Sequence, residues 1–227
     1  MQVFSDFDGT ISVQDVTDIV LSCFADSQWE DIEQEWKDGR IGSAECMRRQ
    51  IALIRANRHE LDALLDTVAI DPGFVAFRDY CYENGLPITV VSDGVDYFIR
   101  HVLALNGIRD LPVIANILTH LVVEGHDTYA LAPSAATAGC SAGSGVCKCK
   151  VIGGIERQIY IGDGRSDFCV SGRAGLVFAK GKLAEYCSDQ GISYIGFDDF
   201  TDLIPKMQAV LPGIARAPRA LLQSSIA

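Results

Sequence analysis

Asp6 and Asp8 stand one residue apart in Ser5-Asp6-Phe7-Asp8-Gly9-Thr10, directly after the apolar start Met1-Gln2-Val3-Phe4. An apolar run that ends in two carboxylates and a glycine reads as a buried strand whose C-terminal end carries chemistry. Two acids this close repel unless a cation or a shared proton compensates them. A hard divalent cation such as Mg²⁺ takes oxygen ligands and would remove that repulsion. Asp and Gly are also ordinary turn residues, so the pair gains weight from what else the chain repeats. Ile88-Thr89-Val90-Val91 leads into Ser92-Asp93-Gly94, and Gln158-Ile159-Tyr160-Ile161 leads into Gly162-Asp163-Gly164-Arg165-Ser166-Asp167. In an open parallel sheet, ligands bind beyond the carboxyl ends of the strands. Three such turns can converge on one site.

The elements that would carry these turns follow from periodicity. Residues 2 to 6 read as the first strand. From about 15 to 66 the pattern is helical, with Val16, Ile19, Val20 and Cys23 on one face and Met47, Ile51 and Ile54 on another. Asp38-Gly39-Arg40-Ile41-Gly42 breaks two of these helices. Asp71-Pro72 starts a further helix, with Asp as N-cap, and Gly85 ends it. A strand at 87–91, a helix at 95–106 and strand-like stretches at 112–117, 119–123 and 127–131 follow, with a hairpin turn at Glu124-Gly125-His126. Residues 132–146 read as an Ala-, Ser- and Gly-rich loop before a helix from about 147. A strand at 158–161, a helix from Ser166, a strand at 175–178, a helix near 182–189 and a strand near 193–197 complete the alternation, and the end from Ala215 is expected to fray. The expected fold is α/β: a Rossmann-like parallel sheet core, residues 1–11 and 76–227, with a small helical cap over 12–75 and a short β-hairpin insertion.

Bulk properties narrow the function classes. A chain of 227 residues with 48% hydrophobic residues can bury a substantial core. A formal net charge of −11 argues against nucleic acid as a partner. It leaves room for a small anionic substrate, because a metal and a Lys invert the local field. No uninterrupted apolar run is long enough to cross a membrane, and no basic-then-apolar leader opens the chain. The expectation is a cytoplasmic protein, monomer or homodimer, with mostly reduced cysteines. Cys23, Cys46, Cys81, Cys169 and Cys187, scattered among apolar neighbours, read as small core residues.

Asp6-Phe7-Asp8-Gly9-Thr10, Ser92-Asp93-Gly94, a Lys ahead of the third turn and Gly162-Asp163-Gly164-Arg165-Ser166-Asp167 together resemble, in order and spacing, the four motifs of the haloacid dehalogenase-like phosphatases. The helical stretch after the first motif resembles the cap of the phosphoserine phosphatase branch. The Cys-rich approach to the Lys and Asp167-Phe168-Cys169 resemble two narrower groups: phosphoethanolamine/phosphocholine phosphatases, and the methionine-salvage phosphatases acting on 2-hydroxy-3-keto-5-methylthiopentenyl-1-phosphate. The resemblance implies a Mg²⁺-dependent phosphomonoesterase. Chemistry alone leaves the two acids of the first motif interchangeable. The resemblance makes Asp6 the nucleophile that forms an aspartyl-phosphate, and Asp8 the acid and then the base. It implies Asp6, the backbone carbonyl of Asp8, and Asp163 as Mg²⁺ ligands, with Asp167 holding a metal water or orienting the Lys. Ser92 would donate to a phosphate oxygen, helped by the backbone N–H groups of Asp93 and Gly94. Thr10 either bonds within the site or caps the next turn.

Lys148 and Lys150 both fit the third motif. On a helix, Val151, Ile152 and Ile155 mark the buried face, and Lys148 lies three, four and seven residues before them. Lys148 is therefore expected in the site. Cys140, Cys147 and Cys149 have a C-x₆-C-x-C spacing that is not the paired spacing of a structural zinc site, and read as structural thiols or a chance disulfide.

In phosphoserine phosphatases a cap Glu and a cap Arg hold the serine amino and carboxyl groups. Asp15 and Gln50 occupy the matching positions here, so the bidentate carboxylate clamp is missing unless Arg48, Arg49, Arg55 or Arg58 replaces it. The methionine-salvage substrate therefore ranks first, ahead of phosphoethanolamine/phosphocholine and phosphoserine. Met47, Trp29 and Trp36 are either contacts to that substrate or core. A non-hydrolytic phosphate-binding or phosphoacceptor module would also use an acidic cluster, Mg²⁺ and a Lys. Asp8 and the helical stretch argue against it.

Overall fold

The computed structural model describes residues 1–132, 143–155 and 157–216. Cys140, most of the expected 132–146 loop and nearly all of the expected frayed end lie outside them. The chain begins with strand β1 (Gln2–Ser5) and passes through four helices: α1 (Val16–Phe24), α2 (Gln28–Lys37), α3 (Ser43–Ile51) and α4 (Arg58–Leu65). Helix α5 (Phe74–Glu83) leads to strand β2 (Ile88–Val95), helix α6 (Asp96–Leu105) and the hairpin β3 (Val113–Val123) with β4 (His126–Ala132). Helix α7 (Lys148–Ile152), strand β5 (Gln158–Gly162), a 3₁₀ turn (Arg165–Asp167) and helix α8 (Phe168–Ser171) follow. Strand β6 (Leu176–Ala179), helix α9 (Gly181–Gln190), strand β7 (Ile195–Gly196) and helix α10 (Phe200–Arg216) close the described chain.

The seven strands form one sheet in the order β4-β3-β2-β1-β5-β6-β7. All neighbours are parallel except the β3–β4 hairpin. The expected parallel α/β core and hairpin are thus present. The two stretches expected on either side of Leu118 are one strand, and the hairpin turn needs only Glu124 and Gly125, both at positive φ. Helix α10 was not anticipated.

Strand β1 lies at the centre and is covered on both faces, which is why its sequence is a continuous apolar run rather than an alternation. Val3 packs into the main core with Val90, Phe98 and Ile161, whereas Phe4 packs into a second cluster with Tyr160, Cys149 and Ile152. That second cluster seats α7 on the sheet. Helices α1 to α4 form an insert between the first strand and α5, and contacts from α1 and α3 to β2, α3 to β4 and α4 to α6 place it against the site end of the sheet. Tyr129 of β4 donates to the Ala56 carbonyl of the insert at 3.0 Å.

Three local expectations change. Asp71 does not cap α5. Gly73 does, while the Asp71 carboxylate accepts from Gly73 N at 2.8 Å and from Phe200 N at 3.3 Å, so it ties the start of α10 to this turn instead. Cys23 and Cys169 are exposed rather than core. In α1 the buried stripe is Val16, Thr17, Val20 and Leu21, and Cys23 falls off it. Residues 92–94 lie within β2, where the pairing register shifts between Val91 and Val95, instead of after the strand.

Candidate active site

The backbone continues the alternation of β1 past its end. Phe7 turns into the main core, and Asp6 falls on the side of Phe4 and α7. Asp6 N donates to Ile161 O at 2.9 Å, which holds the first loop in register with β5. Opposite, Lys148 is 3% exposed at the first position of α7. Its Nζ lies 2.8 Å from Asp6 Oδ2, 2.5 Å from Asp167 Oδ1 and 2.9 Å from Ser166 Oγ. Lys150 is exposed.

Asp167 is fully buried and accepts four hydrogen bonds. Lys148 Nζ and Tyr160 OH donate to Oδ1, the latter at 2.6 Å. The backbone N–H groups of Asp163 and Gly164 donate to Oδ2 at 3.1 Å each. Asp163 Oδ1 accepts from Thr10 Oγ1 at 2.6 Å, which joins the first and fourth turns. That approach requires glycine at position 9. Gly9 has φ +71, and a Cβ there would sit 2.6 Å from Asp163 Oδ2.

Asp8 is half-buried, and its hydrogen bonds run to α1 and β2. Its Oδ1 accepts from Val16 N at 2.9 Å, at the start of α1, and its Oδ2 from Ser92 Oγ at 3.3 Å. Gly94 N donates to Ser92 Oγ at 2.9 Å. The side chain of Asp93 points elsewhere: Oδ1 accepts from Val146 N at 2.8 Å and Oδ2 from Ser43 Oγ at 2.5 Å. The structure therefore brings Asp6, Asp163, Asp167, Lys148 and Thr10 together, with Asp8, Ser92 and Gly94 alongside. Two participants had no place in the sequence reading, Tyr160 and Ser166. A signal existed for Tyr160: a phenol in an otherwise aliphatic buried strand needs a hydrogen-bond partner.

Carboxylate oxygens of Asp6, Asp163 and Asp167 all lie within 4.8 Å of one another. Burial, then the charge of Asp167, pushes Asp6 well above the usual carboxylate range, against the opposing pull of Lys148. Burial also raises Asp163, although the Thr10 hydrogen bond resists it. Burial opposes the charge on Lys148 too, but Asp167 and Asp6 outweigh it and hold the amine protonated. Lys148, with Lys180 reaching Asp163 only electrostatically, does not balance three carboxylates. An all-oxygen set with surplus negative charge suits a hard divalent cation. Asp167 already receives four donors, whereas Asp163 accepts only from Thr10 on Oδ1, and Asp6 accepts from Phe7 N on Oδ1 and from Lys148 and Ser166 on Oδ2, so Asp163 and Asp6 keep more lone-pair capacity for direct ligation than Asp167.

Burial raises Asp8 from 3.8 to about 6, against the Val16 and Ser92 hydrogen bonds. Because the folded value lies above the unfolded one, the stabilising contribution of protonated Asp8 is complete below pH 3.8 and is lost as pH rises through about 6. Without divalent cation, the melting temperature is expected to fall between about pH 4.5 and about pH 7. Added Mg²⁺ is expected to raise it more at the upper pH, because ionised carboxylates bind the cation better. Differential scanning fluorimetry with chelator and with Mg²⁺ measures both, and a gain from Mg²⁺ that is the same at both pH values contradicts the assignment.

A parallel sheet with an antiparallel hairpin at its edge, an insert after the first strand, and three strand ends delivering an aspartate pair, a serine and a second aspartate group beside a buried lysine define a haloacid dehalogenase-like phosphatase. Residues 1–176 match the family described as "Putative Phosphatase", and the chain belongs to that family. Among curated relatives, the 2-hydroxy-3-keto-5-methylthiopentenyl-1-phosphate phosphatase of Brevibacillus brevis is 28% identical over 92% of this chain and 95% of its own length. A protein of the same description from an Exiguobacterium species is 27% identical over 92% of this chain and 97% of its own. Among solved structures, a phospho-aspartyl intermediate analogue of phosphoserine phosphatase superposes with TM-score 0.65 at 19% identity, covering 92% of this chain and 97% of that one. A substrate-bound phosphoserine phosphatase gives 0.63 at 17% identity, covering 92% and 96%. The protein is a phosphoric monoester hydrolase. Among the described residues, no helix is long and apolar enough to cross a membrane.

Proposed function

We propose that the protein hydrolyses a small-molecule phosphomonoester through an aspartyl-phosphate on Asp6, with Mg²⁺ held by Asp6, the Asp8 carbonyl and Asp163. The observation that carries this reading is the Asp6–Lys148–Asp167 arrangement, a buried nucleophile candidate whose charge the chain's own residues only partly neutralise. The cation would supply the positive charge that keeps Asp6 ionised and offsets charge on the phosphoryl oxygens. Asp6 attacks phosphorus and the P–O bond to the leaving group breaks. Asp8, held by Val16 N and Ser92 Oγ, protonates the departing oxygen and then takes a proton from the water that cleaves the acyl phosphate. Lys148 and the Ser92 hydroxyl hold phosphoryl oxygens, aided by the N–H groups of Asp93 and Gly94. Asp167 orients Lys148, and Thr10 orients Asp163. The insert, residues 12–75, serves as a cap that excludes water and selects the leaving group.

For the leaving group we propose the methionine-salvage substrate, 2-hydroxy-3-keto-5-methylthiopentenyl-1-phosphate. The curated relatives' descriptions support it, and so does the disposition of the insert's arginines. Arg40 pairs with Asp38, Arg48 with Glu45 and Arg49 with Glu35. Arg55 donates to the Ala52 and Ile54 carbonyls, and Arg58 lies over the Tyr97 ring. Gln50 is buried against Trp29 O and Glu33. Arg40, Arg48, Arg49 and Arg55 are thus engaged by groups of the insert itself, and Arg58 also pairs with Asp62, which supports ranking phosphoserine lower. Met47 and Trp29 pack against the core, and Trp36 lies against Arg165. A second reading, phosphoethanolamine or phosphocholine, is favoured by Asp15, an acid of the insert within electrostatic reach of Asp8.

Phosphate release from the three substrate groups, with Mg²⁺ and with EDTA, tests both levels. Turnover of at least one group with Mg²⁺ and a loss of about 10³-fold or more in EDTA is expected, since metal charge stabilisation is worth several kcal/mol. Full activity in EDTA contradicts the metal reading. A preference for phosphoserine contradicts the arginine argument.

A further inference from the structure

Asp93 lies between two parts of the chain that the catalytic chemistry does not obviously join. One is the start of α3, where Ser43 Oγ donates to Asp93 Oδ2 at 2.5 Å. The other is the segment just before Lys148, where Val146 N donates to Asp93 Oδ1 at 2.8 Å. Asn116 braces the same residue from β3, donating to the Asp93 carbonyl at 2.5 Å. The two parts also touch directly. Ala44 N donates to Gly143 O at 3.0 Å, and a Cβ at Gly42 would fall 2.6 Å from that carbonyl oxygen. The serine hydroxyl does nothing for its own helix, because Gly42 is the N-cap and no side chain caps α3. Its described partner is a carboxylate across the boundary. Charge-assisted bonds of this kind are the stronger class.

We propose that Ser43 and Asp93 are positioning residues: seating the insert on Asp93 fixes the Val146–Lys148 segment, and thereby sets Lys148 against Asp6. Val146 is buried and α7 begins two residues later, so a shift in the Val146 amide moves the first turn of a helix of only five residues. The Phe4–Tyr160 cluster seats the body of α7, and the Asp93–Val146 bond sets the entry to its first turn, where Lys148 stands. Substrate enclosure by the insert and assembly of the phosphoryl-binding lysine are then one event, and an unseated insert leaves the nucleophile without its cation.

The inference uses the phosphatase reading only in its kinetic arm. Hydrogen exchange on the full chain, read by mass spectrometry, needs no turnover. Ser43→Ala is expected to speed exchange in peptides covering 143–152 by about tenfold, the worth of one hydrogen bond to a charged group. Asp93→Ala is expected to speed it further, and Ser43→Thr, which keeps the hydroxyl, to restore the parent rate. In the kinetic arm, Ser43→Ala is expected to lower kcat by about tenfold with little change in KM, since Lys148 acts on charge that develops in the transition state. Faster exchange confined to residues 38–52, with 143–152 unchanged, overturns the coupling. A rise in KM at unchanged kcat also overturns it, since that is the signature of an insert that only binds substrate.

Discussion

Replacing Asp6 with Asn is expected to abolish turnover of every phosphomonoester the parent accepts, by on the order of 10⁴-fold or more, as removal of a covalent nucleophile does elsewhere. The amide has nearly the shape of the carboxylate but cannot attack phosphorus. Its effect on folding should be small, which makes the result readable. Asp6 sits in a site with surplus negative charge, raised by burial and by Asp167. Neutralising it relieves repulsion, while Lys148 keeps Asp167 at 2.5 Å as its partner. In chelator the variant should therefore melt within a few degrees of the parent. Phosphate release and scanning fluorimetry on one preparation check both statements. Turnover within tenfold of the parent would refute the nucleophile assignment. A large drop in melting temperature would mean that Asp6 is chiefly structural.

Lys148→Ala should lose both activity and stability. The amine is buried between two carboxylates at 2.8 and 2.5 Å. Removing one partner of a buried ionic group costs about 3–5 kcal/mol, because the remaining charges are left uncompensated. For a chain of this size that corresponds to roughly 6–20 °C in melting temperature. Activity should fall by about 10³-fold from the lost phosphoryl contact alone. Mg²⁺ should recover part of the stability, by supplying positive charge to Asp6 and Asp163, and little of the activity. Lys150→Ala, two residues further along on an exposed face, should change neither quantity by more than the measurement error. The reverse pattern, with Lys150 essential and Lys148 dispensable, would place the wrong lysine in the site.

Much of this protein is legible in one dimension because two kinds of signal are local. The central strands read as apolar runs since both their faces are covered, and the insert reads as helical from its spacing. Lys148 could be separated from Lys150 by counting to Val151 and Ile152, because a helix of even five residues fixes which side chains share a face; Ile155, counted on the same face in sequence, lies beyond the end of α7. Errors arose where a residue's surroundings come from far away in the chain. Asp71 looks like a helix cap in sequence, but Phe200, from α10, takes its carboxylate. Cys23 falls one position off a stripe set by what α1 packs against.

Residue order alone settles the chemistry on offer: which strands lead into acids and which lysine faces inward, while the serine it puts in a turn lies inside β2. Only the tertiary structure decided how these groups pair. Lys148, Tyr160 and two backbone N–H groups saturate Asp167, which leaves more acceptor capacity on Asp163 and Asp6. Asp93, whose backbone N–H was expected to meet phosphate, spends its carboxylate on Ser43 and Val146. The physical reason is that backbone conformation and amphipathic spacing are set within a few residues, whereas charge state and hydrogen-bond partners depend on groups brought within 3 Å from fifty or more positions away.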